Sequence, residues 1–181
     1  MPFILPARTL DDGVYQISNS LRFNDDDSAF ISRTPSETNK KTWTWSAWIK
    51  RSDITTAQNL LTAGNDVNNR CHLDINASGT FQVEAKNGGS SVMKCEGGAH
   101  LRDPMAWMHI VWRMDTTQST DSDRMRIYIN GAQFTFSSNS FPGQNINMEM
   151  NVNVLHAIGK RTWADQNYYD GYLAEVHFVD G

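Results

Sequence analysis

Side chains that could catalyse hydrolysis are scarce in this sequence. Cleavage of a glycosidic bond needs two carboxylates that flank the scissile bond. The five glutamates show no spacing that would pair them on one strand; they are Glu37, Glu84, Glu96, Glu149 and Glu175. The sequence also lacks the Gly-x-Ser-x-Gly turn of a serine nucleophile, a phosphate-binding glycine loop and a His-x-x-x-His zinc pair. These absences predict a protein that is not an enzyme.

Two histidines stand in patterns that could move a proton. Glu175 and His177 are two residues apart, so they share one face of an extended strand. They form either a functional pair or a solvated or partner-facing edge. His109 lies within an apolar segment, and we interpret it as a packing and hydrogen-bonding residue and not as a base.

A polar-aromatic loop between residues 162 and 170 contains the best candidate binding site. Aromatic rings can stack on sugars, while carboxylate and amide groups bond to hydroxyls. The candidate ligand-binding residues are Trp163, Asp165, Asn167, Tyr168 and Tyr169. The alternative is a loop that packs on its own domain. Trp48, which shares a strand face with Thr44 and Ser46, is either another sugar-stacking ring or a half-buried residue.

Four adjacent Asx residues, from Asn24 to Asp27, raise the question of a metal. Oxygen ligands suit calcium, but this run lacks the glycine and the terminal glutamate of an EF-hand loop. Asx side chains also close turns by bonding to their own backbone. We predict a turn, and we keep Asp25, Asp26 and Asp27 as candidate calcium ligands. No other cofactor is predicted.

The elements that must position these residues are β-strands. Side chains of residues 107–114 alternate, and one face is wholly apolar, with Met108, Ile110, Trp112 and Met114. Asn130-Gly131 separates two further alternating segments. This dipeptide is typical of a type I′ hairpin turn, whose two central residues need a φ above zero. The middle of the chain is therefore predicted to be antiparallel.

Short alternating segments recur along the whole chain, with turn residues between them. The predicted strands are 21–23, 29–32, 42–50, 59–62, 71–75, 80–84, 91–95, 107–114, 124–129, 133–136, 155–160 and 171–179. Residues 145–154 alternate as well and are either a strand or an ordered loop. No segment has a helical period. Many short strands of this kind predict an all-β sandwich or barrel.

The totals fit one ordinary globular domain of 181 residues, with 39% hydrophobic and 20% charged residues. A net charge of -4 argues against a protein held to nucleic acid by phosphate contacts. No apolar run reaches the length of a membrane span. Cys71 and Cys95 lack the paired spacing of a zinc site, so we predict buried free thiols, with a disulfide as the alternative.

The first twelve residues form a predicted extended arm, since two prolines keep them out of a helix. Its apolar residues need a partner surface, on the domain itself or on another subunit; they are Phe3, Ile4 and Leu5. The sandwich is predicted to occupy residues 13–181. Asp180-Gly181 is a turn signal with nothing after it, which suggests the N-terminal part of a longer chain.

Five segments in order resemble the concanavalin A-like, laminin-G-like jelly-roll superfamily. They are Trp45-Ser46-Ala47-Trp48-Ile49-Lys50, Trp107-Met108-His109-Ile110-Val111, Ile127-Tyr128-Ile129-Asn130-Gly131, Ile158-Gly159 and Tyr169-Asp170-Gly171-Tyr172-Leu173-Ala174-Glu175-Val176. The resemblance spans about residues 20–179. It implies an all-β, two-sheet antiparallel jelly-roll sandwich whose activity, where one exists, is to bind glycans or proteins. The hydrolases of this superfamily carry catalytic carboxylates in a Glu-x-Asp-x-x-Glu or similar pattern, which this sequence lacks.

Three segments resemble the laminin-G-like proteins of marine bacteriophages more closely; they are residues 20–28, 32–35 and 170–178. This likeness implies a virion component, such as a tail fibre or capsid decoration protein, made in the bacterial host cytoplasm. The expected partners are other virion proteins, further copies of the chain in a homo-oligomer, and a host-surface glycan, without nucleic acid or membrane insertion. An autonomous carbohydrate-binding module is the alternative, and a glycoside hydrolase is the third hypothesis.

Overall fold

The computed structural model describes residues 17–98 and 101–181, which form two antiparallel sheets. The strands are β1 (Leu21–Phe23), β2 (Ile31–Arg33), β3 (Thr42–Arg51), β4 (Gln58–Asp66), β5 (Asn69–Ile75), β6 (Phe81–Asn87), β7 (Ser90–Gly97), β8 (Met108–Asp115), β9 (Met125–Ile129), β10 (Ala132–Gln133), β11 (Ser138–Ser140), β12 (His156–Ile158) and β13 (Gly171–Asp180). A one-turn helix, α1 (Asp121–Arg124), precedes β9. The predicted all-β, two-sheet fold is confirmed.

The two sheets differ in size and pack face to face around one core. The first has six strands in the order β1-β13-β3-β8-β9-β10, and the second has seven in the order β11-β7-β6-β5-β4-β12-β2. No helix in the described part of the chain is long and apolar enough to cross a bilayer. The predicted arm, residues 1–12 with Phe3, Ile4 and Leu5, lies outside the described residues, so its role stays a prediction.

The core faces of the central strands follow the predicted alternation. In β8 the buried side chains are Met108, Ile110, Trp112 and Met114, and in β3 they are Trp43, Trp45, Ala47 and Ile49. Trp43 lies between two rings, with its centroid 4.8 Å from Trp112 and 5.6 Å from Phe178. Burial of each Met or Ile side chain in this set contributes roughly 1.5–3 kcal/mol to stability.

The predicted hairpin turn is confirmed, but its returning strand is shorter than predicted. Asn130 and Gly131 have φ values of 50° and 80°. The return, β10, covers only Ala132–Gln133, whereas residues 133–136 were predicted. The backbone N–H of Phe134 still donates to the carbonyl O of Ile127 at 2.8 Å, and its ring packs edge-on against Phe81 of the other sheet, at 5.7 Å.

Residues 145–154 form an ordered loop, so the alternative prediction of a strand is wrong. Asn145 and Asn151 both have a φ of 59°, which interrupts an extended backbone. Met148 and Met150 are nevertheless buried in the core. The side-chain amide of Asn151 fixes the loop by donating to the carbonyl O of Asn39 and to Asp180 Oδ1, both at 2.9 Å.

Candidate functional site

The predicted binding loop connects β12 to β13 and covers the outer face of the second sheet. Hydrogen bonds near both of its ends attach it to β4. Thr62 Oγ1 donates to the carbonyl O of Lys160 at 2.9 Å, and the backbone N–H of Asn59 donates to the carbonyl O of Asn167 at 2.9 Å. Both ends of the loop are thus held on the same strand.

Alternating side chains of β5 build the surface beneath this loop. Cys71, Leu73 and Ile75 point into the core, which directs Arg70, His72 and Asp74 to the outer face. On β6, Glu84 pairs with His72 in the ladder and shares that face. The guanidinium of Arg70, the imidazole of His72 and the carboxylates of Asp74 and Glu84 therefore lie next to one another on this face.

Ion pairs connect these side chains to one another and to the loop above. Arg70 Nη2 donates to Glu84 Oε2 at 2.7 Å. From the loop, Arg161 Nη2 donates to Asp74 Oδ2 at 3.1 Å, and its Nε donates to Asn59 Oδ1 at 3.1 Å. Asp74 and Glu84 are only 4% and 12% exposed in their side chains, so both pairs are shielded from water. Charge-assisted bonds of this kind are stronger than neutral ones.

Trp163 covers the cluster and remains half-buried itself. Its ring centroid lies 5.0 Å from the ring of His72. The guanidinium carbons of Arg70 and Arg161 lie 4.9 Å and 5.6 Å from the same centroid. Cation–π contacts of this length are worth about 0.5–2 kcal/mol each. The loop thus carries an aromatic ring that is fixed in orientation and partly open to solvent.

Several buried polar atoms beneath Trp163 have no hydrogen-bond partner among the described residues. They are Asn59 Nδ2, Arg70 Nε, both ring nitrogens of His72, Asp74 Oδ1 and Thr162 Oγ1. A buried polar group without a partner costs about 1–3 kcal/mol. This layer therefore holds hydrogen-bonding capacity that a water or a polar ligand could satisfy. We call these residues, together with Glu84, Arg161 and Trp163, the capped polar cluster.

Burial shifts two pKa values in the cluster in opposite directions. It lowers the pKa of His72 to about 3, helped by the charges of Arg161 and Arg70. It raises the pKa of Asp74 to about 6, although the bond from Arg161 opposes the shift. At neutral pH the imidazole is therefore uncharged and the Asp74 carboxyl is mostly ionised.

Of the other predicted loop residues, Asp165 and Tyr168 lie together on the rim of the sandwich, and Asn167 anchors the loop to β4. The hydroxyl of Tyr168 donates to the carboxylate of Asp165, and Lys160 Nζ donates to the same carboxylate at 3.2 Å. Lys160 also lies 4.3 Å from the ring centroid of Phe30, so this group forms a second small patch on the rim. Asn167 has a φ of 58° and takes part in the anchoring of the loop through its carbonyl.

Tyr169 requires a correction, because it does not reach the surface. The side chain is 0% exposed. Its ring packs edge-on against Phe23 at 5.9 Å, and its hydroxyl donates to the carbonyl O of Lys50 at 3.0 Å. A Tyr next to Tyr168 in sequence points to the opposite side of an extended chain, so one of the two rings enters the core.

The predicted turn at residues 24–28 is present, with backbone N–H groups of Ser28 and Ala29 donating to the carbonyls of Asp25 and Asn24. Asn24 Nδ2 also donates to Asp27 Oδ2 at 2.6 Å. Within residues 17–98 and 101–181, no group of three or more His, Cys, Asp or Glu side chains has an arrangement suited to a metal ion. Calcium binding by Asp25, Asp26 and Asp27 stays an untested prediction.

The other residues singled out in the sequence occupy the first sheet. His109 packs against Trp48, with ring centroids 5.0 Å apart, as expected of a packing residue. Trp48 is half-buried on the outer face of that sheet. Glu175 and His177 are both exposed, and a β-bulge lies between Ala174 and His177. Cys71 and Cys95 are buried free thiols, so the disulfide alternative is wrong.

Prediction from the sequence missed the residues beneath the loop. The available signal was the alternation in Arg70-Cys71-His72-Leu73-Asp74-Ile75, which puts three polar groups on one face of a strand. Nothing in the sequence showed that the loop around Trp163 would fold onto that strand, because the two segments lie about ninety residues apart in the chain.

Comparison with known families identifies the fold. The family model of the Concanavalin A-like lectin/glucanases superfamily, Laminin_G_3, matches residues 23–181. The chain belongs to this superfamily. The Laminin_G_3 match covers every strand except the first two residues of β1, and it agrees with the jelly roll inferred from the five sequence segments. Comparison with the curated proteins gave no match.

Solved structures show the same superfamily fold at low sequence identity. Domains LG4-5 of the mouse laminin alpha1 chain align with a TM-score of 0.61 and 10% identity, over 90% of this chain and 41% of that one. Domain 4 of AbnA, a GH43 extracellular arabinanase from Geobacillus stearothermophilus, gives 0.58 and 19%, over 84% and 66%. The CBM40 of Ruminococcus gnavus IT-sialidase gives 0.55 and 14%, over 84% and 91%. This chain therefore spans less than half of the laminin fragment and nearly all of the CBM40.

Proposed function

We propose that this chain is a non-catalytic, lectin-like module that binds glycans at the capped polar cluster. The observation that carries the proposal is the half-buried ring of Trp163, which covers a layer of polar atoms that lack hydrogen-bond partners. A sugar presents an apolar face and a ring of hydroxyls. Trp163 suits the first, and the guanidinium groups beside it suit the second, since the side chains of Arg70 and Arg161 are 13% and 23% exposed.

The charges of the cluster favour a neutral glycan or one with few acidic groups. Arg70 and Arg161 are already paired with Glu84 and Asp74, so neither guanidinium carries an uncompensated charge. Paired groups still hold free donors and acceptors that can bond to hydroxyls. The ligand therefore gains from several hydrogen bonds and one stacking contact, not from a single ion pair.

Two of the related structures support this proposal because each was solved with a bound sugar. The AbnA domain was determined in complex with arabinotriose, and the CBM40 was determined bound to sialyllactose. Both identities with this chain lie below 20%, so the likeness concerns the fold. A jelly roll of this shape is thus a suitable scaffold for glycan binding. The class of glycan that we propose for this chain is inferred from its own side chains.

Hydrolysis is disfavoured by the way the carboxylates are held. Asp74 is bonded to Arg161 and Glu84 is bonded to Arg70, and the loop covers both. A glycosidase needs its acid and its nucleophile or base in direct contact with the scissile bond. The cluster therefore offers recognition without cleavage, and incubation of the chain with each bound glycan should release no product.

The biological setting that we propose is the particle of a bacteriophage, as a fibre or decoration component. The support is the likeness of residues 20–28, 32–35 and 170–178 to phage laminin-G-like proteins. Phe3, Ile4 and Leu5 would anchor the chain to other virion proteins, and the sandwich would present the glycan site to the host surface. Deletion of residues 1–12 should abolish incorporation into particles, and normal incorporation without them would disprove the anchor.

The glycan site is tested by comparing two tryptophans on opposite sheets. A glycan array, run with and without calcium, first identifies a ligand. Trp163→Ala should then weaken binding by about tenfold or more, since a lost stacking contact of about 1.4 kcal/mol corresponds to a factor of ten. Trp48→Ala is the matched control, because Trp48 is also half-buried but lies on the first sheet, and it should leave affinity unchanged.

Two results would contradict the proposal. The first is an array without any bound glycan at millimolar sugar. The second is a loss of affinity in Trp48→Ala and not in Trp163→Ala, which would place the site on the outer face of the first sheet. Isothermal titration calorimetry on the folded variants gives the affinities, and their circular dichroism confirms that the sandwich is intact.

A further inference from the structure

The outer face of the first sheet carries a row of cations and aromatic rings at one end. Arg22, Tyr172 and Lys50 lie opposite one another on the adjacent strands β1, β13 and β3. The guanidinium carbon of Arg22 lies 6.0 Å from the ring centroid of Tyr172. Trp107 directly precedes β8 and continues the row, with its ring centroid 6.5 Å from that of Tyr172. Cations and rings therefore alternate across four neighbouring strands.

A second aromatic row lies two residues further along the strands. Trp48 of β3 lies opposite Ala174 of β13 on one side and opposite His109 of β8 on the other. The planes of Trp48 and His109 are inclined by 34°, and those of Trp107 and Tyr172 are inclined by 60°. Rings at such different angles give an uneven surface. It suits interlocking with the side chains of a protein better than stacking on a row of flat sugar rings.

The charges on this face are mostly positive. Among the outward-facing residues of β1, β13, β3, β8 and β9, outside the bulge in β13, the carboxylate belongs to Asp115, which accepts from Arg113 Nη2 at 3.0 Å. No ion pair among the described residues involves Arg22 or Lys50, although the nearby carboxyl of Asp170 partly offsets Arg22. On a chain with a net charge of -4, this positive end favours an acidic partner and disfavours the same face of a second copy.

The face is large enough for one side of a transient protein–protein interface. Five adjacent strands are about 19 Å across, and the stretch of β3 from Thr42 to Lys50 is about 26 Å long, so the face covers at most roughly 500 Å² in projection. Transient interfaces at the low end of the size range bury less than about 600 Å² on each partner. The composition also fits the core of an interface, where aromatic residues and Arg are enriched and Asp and Glu are depleted.

We propose that the outer face of the first sheet is the docking surface for an acidic protein partner. Trp48, Trp107 and Tyr172 supply the aromatic contacts of the interface. Lys50 and Arg22 pair with carboxylates of the partner at one end of the face. The capped polar cluster stays open in such a complex, because it lies on the outer face of the other sheet. The chain thus holds a partner on one side and presents its ligand site on the opposite side.

The test titrates the full chain with a copolymer of glutamate and tyrosine, which presents carboxylates and aromatic rings on a polypeptide. NMR should show shift changes at the indole N–H groups of Trp48 and Trp107 and none at that of Trp163. Lys50→Glu should weaken binding about tenfold, because it reverses a charge within the interface. Lys94→Glu is the matched control, since Lys94 is an exposed cation on the outer face of the second sheet, and it should leave the affinity unchanged. Circular dichroism confirms that both variants are folded.

Three results would overturn the proposal. One is an absence of shift changes on the first sheet with the copolymer at millimolar concentration. Another is equal affinity of the parent and of Lys50→Glu for the copolymer. The third is tighter binding of polygalacturonate than of the copolymer, with the same loss in Lys50→Glu, because the face would then recognise an acidic glycan. The affinity of Lys50→Glu for a neutral glycan should equal that of the parent, which separates this test from that of the glycan site.

Discussion

His72 and Asp74 lie side by side beneath Trp163, with Nε2 and Oδ1 3.5 Å apart and without hydrogen-bond partners among the described residues. At the scale of single residues this pair gives the cluster its dependence on pH. The tautomer of the neutral imidazole with a proton on Nε2 can donate to the Asp74 carboxylate, whereas the other tautomer can only accept from a protonated Asp74. Burial keeps the imidazole neutral and makes the carboxyl easier to protonate.

The two groups affect stability in opposite senses. The folded pKa of Asp74, about 6, lies above its ordinary value of 3.8, so its contribution is full below pH 4 and is lost as the pH rises through 6. The folded pKa of His72, about 3, lies below 6.5, so its contribution is present above pH 6.5 and is lost as the pH falls towards 3. Between pH 4 and 6 the two slopes oppose each other.

Asp74→Asn should therefore make stability more dependent on pH, because only the slope of His72 remains. Calorimetry at pH 4, 5, 6 and 7 should show the melting temperature of the variant rising more steeply with pH than that of the parent. Asp103→Asn, at an exposed position, serves as the control, and its melting temperature should change with pH as that of the parent does. An NMR titration of the His72 ring with a midpoint near 6.5 would contradict the neutral, buried imidazole.

The two thiols should be inert in the folded protein. Burial raises the pKa of Cys71, and it raises the pKa of Cys95 to about 11, so neither forms much thiolate at pH 8. A thiol reagent should label no cysteine in the native state and two per chain after unfolding in guanidinium. Rapid labelling of the native protein would mean that the core opens near β5 or β7.

Single residues of the site could be predicted only in part. Trp163 was identified from its loop composition, and the structure places it beside charged groups. Tyr168 and Tyr169 have the same side chain and adjacent positions, so composition could not tell that Tyr169 is a core residue. The partners of Trp163 on β5 depend on a contact between distant segments, which no local pattern encodes.

At the scale of elements, the hairpin of β4 and β5 positions Arg70 and His72, and it depends on one glycine. Gly64 has a φ of 135°, and a Cβ there would lie 2.3 Å from the carbonyl O of Asn69 and 2.8 Å from the Cα of Arg70. A register shift between Gly64 and Asp66 marks the same place. The backbones of the two strands approach each other here as only glycine allows.

Gly64→Ala should lower the melting temperature by about 6 °C or more and weaken glycan binding, because Arg70 must move. Gly143→Ala is a suitable control, since a Cβ at Gly143 meets no atom within 4 Å and its φ is not positive. Differential scanning fluorimetry gives the first effect and calorimetric titration the second. Equal stability of the two variants would show that the hairpin adapts without cost.

Elements with one buried face were predictable, and elements fixed by long-range packing were not. The alternation in β3 and β8 predicted both strands and their core faces. Residues 145–154 alternate as regularly, yet the positive φ of Asn145 and Asn151 makes them a loop. Alternation alone describes which side chains are buried, and it does not require a ladder of hydrogen bonds.

At the scale of the whole molecule, the two sheets present different surfaces to the solvent. The second sheet carries the capped polar cluster, whereas the first carries aromatic contacts between Trp48 and His109 and between Trp107 and Tyr172. If the chain is displayed on a particle as proposed, one sheet is available for a ligand and the other sheet or the arm for a partner.

The oligomeric state distinguishes the assembly role from that of an autonomous module. If the arm joins copies of the chain, light scattering should give a stable oligomer for residues 1–181 and a monomer for residues 13–181. Phe3→Ser with Leu5→Ser in the full chain should have the same effect as the deletion. A monomer in every case would disprove the arm as an assembly element and favour an independent lectin-like module.

The three indole rings of the core, in Trp43, Trp45 and Trp112, are at most 1% exposed, and their N–H groups have no acceptor in the described part of the chain. Their fluorescence should be blue-shifted and insensitive to aqueous quenchers. Trp163 is half-open to water and lies beside two guanidinium groups, so its emission should lie at longer wavelengths. Trp48 and Trp107 are half-buried as well, so three rings contribute to the red edge of the spectrum. A glycan bound as proposed should change only the part that Trp163 contributes, while the core rings supply a constant internal standard.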